Sequence, residues 1–143
     1  MANEMLDTYT TSGLVATTPR HLVTTDGLAI TSFRLATSGY RLNRATGKME
    51  EGQTNWFTIT TFGQTAINVA GSINKGERII VTGGLRVRDW DNGERAGTSV
   101  EIEADVVAHD LSWGNSAFTR NVLVKTGTPG RIPSGVDLTS AEE

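Results

Sequence analysis

Through most of the first 110 residues, short runs of alternating apolar and polar residues are separated by turn residues. A period of two is the signature of half-buried strands. The pattern predicts a first strand near Asp7–Thr17, ending before Pro19. A second covers His21–Thr37, bent or interrupted at the turn pair Asp26-Gly27. Ser38–Gln53 is polar and turn-rich and reads as an extended hairpin loop, followed by a third strand at Thr54–Thr61. The period then changes. Ala66, Val69, Ala70 and Ile73 fall at i, i+3, i+4 and i+7, a single helical stripe, and Gly76 is placed to end that helix in a left-handed conformation. A fourth strand is expected at Glu77–Asp89, a turn over Trp90–Gly97 built on Asn92-Gly93, and a fifth strand at Thr98–His109. Gly83-Gly84, inside the fourth strand, marks a bulge or barrel corner.

Three strands, one helix and two strands is the order of an OB-fold. The expected class is therefore all-β with one short helix, a five-stranded Greek-key barrel. Periodicity fades after Asp110, which suggests a domain over residues 1–110 and a tail over 111–143. The tail's Gly, Pro and Ser content from Thr126 onward suggests disorder.

Alternation also assigns faces. Phe57 and Ile59 share one side of the third strand and read as core. Trp56, with Phe62 at the same parity, points the other way. In the fourth strand Leu85 and Val87 face inward, opposite Arg86, Arg88 and Trp90. In the second strand Phe33 and Leu35 oppose Arg34. Exposed aromatics signal contact with something. Combined with guanidiniums on one stripe, they suit an unpaired polynucleotide, whose bases stack and whose phosphates meet arginine. Burial of these rings against a protein partner, and simple solvation of the arginines, are the competing explanations. In the fifth strand Glu101, Glu103 and Asp105 share a face opposite Val100, Ile102, Ala104 and Val106. That acidic stripe is expected to be solvated, or to pair with basic residues of another subunit.

The net charge of −3 opposes a uniformly basic nucleic-acid binder, but the charge is segregated. Residues 20–88 hold nine basic side chains against four acidic ones, and residues 89–110 hold seven acids against Arg95 alone. Local field matters more to a polyanion than the total. The chain has no cysteine, which excludes disulfides, thiolate metal sites and a cysteine nucleophile. An apolar run near the length of a membrane span is absent, and the N-terminal MANEMLDTYTTSG has no apolar signal core. A cytoplasmic, nucleoid-associated location without membrane contact is expected.

Five stretches in order carry a resemblance: GLVATTP at Gly13–Pro19, FRLAT at Phe33–Thr37, RATGKME at Arg44–Glu50, NWFTITTFG at Asn55–Gly63 and GLRVRDW at Gly84–Trp90. Together they make Leu6–Asp110 resemble the bacterial single-stranded DNA-binding protein (SSB) family. The resemblance implies that Trp56, Phe62 and Trp90 stack on bases and that Arg34, Arg86 and Arg88 lie on or beside the DNA-facing strands. It places Tyr40 nearest the family's further stacking aromatic, one residue out of line, with Arg41 in contention. It also implies self-assembly, usually as a homotetramer, with a dimer as the alternative. Arg41, Arg44 and Lys48 add cations in the preceding loop. The chain departs from the family at its end, GVDLTSAEE, which closes on two terminal acids and has no aromatic. Recruitment of replication or repair proteins through such a tip is in doubt, and the pattern suggests a tail-reduced paralogue or a phage or plasmid version.

Other chemistry finds little support. Asp89–Glu94 superficially resembles a calcium loop, but the spacing fails, a further acid and the later bidentate Glu are missing, and its flanks are strands, so a hairpin turn is expected. His21 and His109 have no ligand-spaced neighbours, and no phosphate loop or nucleophile elbow is present. Neither an enzyme nor a cofactor is expected. The expected function is sequence-nonspecific binding of single-stranded DNA in replication, recombination or repair. The alternative is an OB-fold module for protein interaction or RNA.

Overall fold

A computed structural model describes residues 7–122. In chain order the elements are β1 (Asp7–Val15), β2 (Arg20–Val23), β3 (Ala29–Asn43), β4 (Lys48–Phe62), α1 (Gly63–Ser72), β5 (Arg78–Asp91) and β6 (Ala96–His109). The expected second strand is split into β2 and β3. Thr24 makes the break: its N–H donates to the Leu28 carbonyl and its Oγ1 accepts from the Leu28 N–H, around Gly27 at φ 90°. The sheet order is β1-β5-β6-β4-β3-β2, and an additional β1–β3 pairing closes it. The ring therefore contains five strands, with β2 paired to the outside length of β3. This is the expected OB barrel with one added strand.

Closure needs backbones to approach closely at two glycines. A Cβ on Gly13 would lie 2.5 Å from the Ala36 carbonyl oxygen, where β1 crosses β3. One on Gly83 would lie 2.0 Å from the Glu103 oxygen, at the register shift between β5 and β6. The corner expected at Gly83-Gly84 is present. The interior is filled by Val15, Phe33, Leu35, Phe57, Ile59, Ile79, Val81 and Ile102. Val69 of α1 and Ile73, the residue that caps it, seal one end. The buried Thr31 hydroxyl donates to the Ala66 carbonyl (2.8 Å) and ties the helix to the barrel, while that of Thr61 donates to the Thr31 carbonyl (2.9 Å) between β4 and β3.

Several expectations need correction. Ser38–Gln53 is not an open loop: β3 and β4 continue through it as a ladder, paired from Ser38 with Thr54 out to Asn43 with Lys48. The turn is only Arg44–Gly47, with Asn43 Oδ1 accepting from the Ala45 and Thr46 N–H groups and Gly47 at φ 73°. Backbone pairing needs no buried face, so the arm forms without an apolar alternation to announce it. The helix ends at Ser72, where the Ile73 N–H bonds the Val69 carbonyl. Gly76 has a positive φ but lies in the following turn, donating to the Val15 carbonyl. Ala70 is exposed and outside the buried stripe. Val87, expected inside, is 61% exposed because β5 has by then run past the end of the core. In β6 an unpaired residue at Asp105 shifts the alternation, so Val106 faces out and Val107 packs on the core. Residues 123–143, including the expected disordered stretch and the acidic end, lie outside the described residues.

Candidate nucleic-acid interface

The outer faces of β3, β4, β6 and β5 form one continuous surface. Its centre can be read from the register: Arg34 opposes Thr58, Thr58 opposes Glu101, and Glu101 opposes Arg86. This row crosses four adjacent strands on the side opposite Leu35, Phe57, Ile59 and Ile102, all of which are buried.

Three aromatic rings frame the row. Trp56 is 49% exposed, and Phe62 and Trp90 are each 42% exposed. Trp56 and Phe62 share parity on β4 and stand six residues apart, roughly 20 Å at about 3.3 Å per residue. Phe62 is the N-cap of α1, with extended backbone (φ −131°, ψ 155°), so the strand's alternation carries through to it. Trp90 stands on β5 toward the same end of the barrel as Trp56. Its indole lies over Gly97 of β6, where a Cβ would come within 2.8 Å of the ring. The Asn92-Gly93 turn behind it is fixed by Asn92 Oδ1, which accepts from the Glu94 and Arg95 N–H groups, and by Gly93 at φ 92°.

The three arginines expected here share the face in two different states. The Arg34 guanidinium lies over the Trp56 ring at 5.2 Å from its centroid, a cation–π contact of about 0.5–1 kcal/mol at an exposed site. Arg86 and Arg88 are ion-paired. Arg86 Nη2 is 3.4 Å from Glu103 Oε2, and Arg88 Nη2 is 3.4 Å from Glu101 Oε1. Within the chain Glu101 and Glu103 are thus ion-paired rather than simply solvated. They meet arginines of the neighbouring strand within the same chain, because β5 and β6 are antiparallel neighbours with both side chains outward. Such partly exposed pairs contribute about 0.2–1 kcal/mol each.

Tyr40, Arg41, Arg44 and Lys48 stand apart on the β3–β4 arm and its turn, all exposed. Tyr40 is 68% exposed and opposes Glu51, while Arg41 opposes Glu50 and Leu42 opposes Met49. Alternation along β3 keeps Tyr40 at the parity of Arg34 and puts Arg41 on the other side.

Some features were missed by sequence reasoning. Leu111–Val122 has no regular structure but turns back along the barrel. Trp113 covers the Arg78 guanidinium at 4.4 Å, and the Asn121 and Asn68 amides exchange hydrogen bonds of 2.8 and 3.2 Å. A groove of about 420 Å³ beneath this segment, between α1 and β6, is lined by Val69, Ile73, Val107 and Phe118 among others. Only the spacing-free presence of Trp113 and Phe118 after the last strand hinted at it. Beside the start of β5 and at the end of β6, His109 Nε2 and Glu77 Oε1 are hydrogen-bonded at 2.9 Å. Burial acts to raise the Glu77 carboxyl, but hydrogen bonds from the Asn74 N–H, from His109 and from the Asn74 amide outweigh it. They hold the group below its ordinary value of 4.5. Among the described residues no cluster of three or more His, Asp or Glu side chains is placed to hold a metal ion, and no helix is long and apolar enough to cross a membrane.

Known proteins share both the sequence and this architecture. The chain is 41% identical over 142 residues to Single-stranded DNA-binding protein 2 of Tropheryma whipplei (strain Twist), covering 99% of this chain and 94% of that protein. It is 36% identical over 112 residues to the single-stranded DNA-binding protein of Corynebacterium glutamicum, covering 78% of this chain and 50% of that protein. The crystal structure of the small single-stranded DNA-binding protein from Streptomyces coelicolor aligns with a TM-score of 0.69 at 33% identity, over 76% of this chain and 98% of that one. Residues 7–110, the span from the first strand to just past the last, match the Single-strand binding protein family, and the chain belongs to it.

Proposed function

We propose that this chain binds single-stranded DNA without sequence preference and has no enzymatic activity of its own. The observation that carries the reading is the placement of Trp56, Phe62 and Trp90, each about half exposed, on one outer barrel face with Arg34, Arg86 and Arg88. Bases stack on the rings and phosphates meet the guanidiniums. Every base has a π-face, so stacking tolerates any sequence at about 1–3 kcal/mol per base. Duplex DNA binds poorly because its bases are already stacked on one another. Tyr40, Arg41, Arg44 and Lys48 extend the contact along the arm. Residues 1–110 act as the binding domain, and residues 111–143 are an appendage to it.

The protein works in replication, recombination or repair at the nucleoid, in the cytoplasm and without membrane contact. It assembles as a homotetramer. The exposed apolar side chains of Leu42 and Met49, paired across the arm, supply surface suited to contact between copies. Sedimentation measures the subunit number directly. Intrinsic tryptophan fluorescence titrated with oligo-dT at two salt concentrations tests the main reading. Quenching that saturates, with affinity falling as salt rises, is the expected result. Absence of quenching means the rings serve another partner, as in a protein-interaction module.

A further inference from the structure

Glu101 and Glu103 have no place in a simple basic-and-aromatic groove, yet they sit in the middle of this one. Both lie on β6, between β4 with Trp56 and β5 with Trp90. Their side chains are partly covered, at 25% and 42% exposure, and each is in ion contact with an arginine that faces the proposed DNA path. A carboxylate presents the same charged oxygen acceptors to a guanidinium as a phosphate does. An incoming strand must therefore exchange carboxylate for phosphate at Arg86 and Arg88.

We infer that Glu101 and Glu103 are affinity-setting residues, acting as built-in competitors that hold Arg86 and Arg88 and weaken the electrostatic part of single-stranded DNA binding. The inference rests on the binding face proposed above. It explains how a chain of net charge −3 keeps arginines on a DNA path without making that path strongly cationic. The β5–β6 half of the face is close to neutral, so binding there depends on bases stacking on Trp90. The bound strand is correspondingly easy to release.

The inference has a thermodynamic signature. A phosphate meeting an already neutralised arginine displaces fewer counterions than one meeting a free cation. Releasing both arginines should steepen the dependence of log affinity on log salt by up to about 1.4, at about 0.7 per phosphate contact on a single strand. The test compares the unaltered protein with the Glu101→Gln/Glu103→Gln variant, using fluorescein-labelled oligo-dT across a salt series. The variant is expected to bind several-fold more tightly at low salt with a steeper slope, and to converge on the unaltered protein at high salt. Thermal unfolding of the variant, and the milder single change Glu103→Gln, guard against a folding defect, since both glutamates lie on the outer surface.

A cycle with Arg88→Gln isolates the mechanism. If Glu101 acts by holding Arg88, Glu101→Gln tightens binding in the unaltered background and has little effect when Arg88 is already Gln. Equal tightening in both backgrounds would mean a general charge effect and would overturn the inference, as would unchanged or weaker binding by the double glutamine variant. Failure of the unaltered protein to bind oligo-dT at all would instead remove the DNA-binding reading itself.

Discussion

The two halves of the candidate interface carry the same residue types in different electrostatic states. On the β3–β4 half, Arg34 lies over Trp56, and among the described residues no carboxylate is ion-paired to it. On the β5–β6 half, Arg86 and Arg88 are each held by a glutamate, and Trp90 rests against backbone at Gly97. The neighbouring strand makes the difference. Arg34 faces Thr58 across the ladder, whereas Arg86 faces Glu101. What an arginine does on a sheet surface is thus decided by its cross-strand neighbours as much as by its own parity. One half can give up charge to a phosphate at once, and the other must first break an internal contact.

Removing Trp56 should have the largest effect. Trp56→Ala is expected to cost about 1–3 kcal/mol of oligo-dT binding, roughly 5- to 150-fold in affinity, measured by anisotropy of a labelled strand. Unchanged affinity would take Trp56 off the DNA path and erase the distinction between the halves. Trp90→Ala should cost less, about 1 kcal/mol, because the backbone at Gly97 keeps one side of that indole from a base. A larger loss for Trp90 than for Trp56 would reverse the ranking. Charge gives a subtler contrast. Arg34→Gln should flatten the salt dependence by about 0.7 in log–log slope, and Arg88→Gln by less than half of that, since Arg88 starts out neutralised. Equal changes would show that the ion pairs do not persist in solution.

The smallest effect is a reference for what a hydrogen-bonded carboxylate does away from the interface. Glu77 is held below its ordinary value of 4.5 in the folded chain, with burial opposing and the Asn74 and His109 hydrogen bonds prevailing. The stability it adds is present above that ordinary value and is lost as pH falls through the lower folded value. Glu77→Gln should therefore flatten the acid limb of the stability curve by a few tenths of a kcal/mol at this partly exposed site, and leave oligo-dT affinity at neutral pH unchanged. A DNA-binding defect in that variant would show that the two ends of the barrel are coupled.

The sequence made some of this legible because burial writes a period into it. Phe57 and Ile59 against Trp56, and Leu35 against Arg34, were readable since one side of each strand is sealed in the core. Ala66, Val69 and Ile73 gave away the helix for the same reason. Where no side is sealed, the period vanishes: the arm from Ser38 to Gln53 is held by backbone pairing and read as a loop. An unpaired residue at Asp105 inverted the expected sides of Val106 and Val107, and alternation alone cannot announce such an insertion. The pairing of Arg86 and Arg88 with Glu103 and Glu101 depends on the register between two strands, which no single strand contains. The contact of Trp113 with Arg78 spans 35 positions and left no local trace.

The place of β6 in the sheet governs how the molecule can be made. Of the described strands this is the last to leave the ribosome, yet it fills the gap between β4 and β5 and pairs with both. Until it arrives, the nascent chain has two long unsatisfied edges, which are templates for aggregation. A chain stopped short of Ala96, and so lacking β6, should accordingly be insoluble rather than merely weak. The same late segment brings in Glu101 and Glu103, so the ring cannot close without its internal competitors already in place.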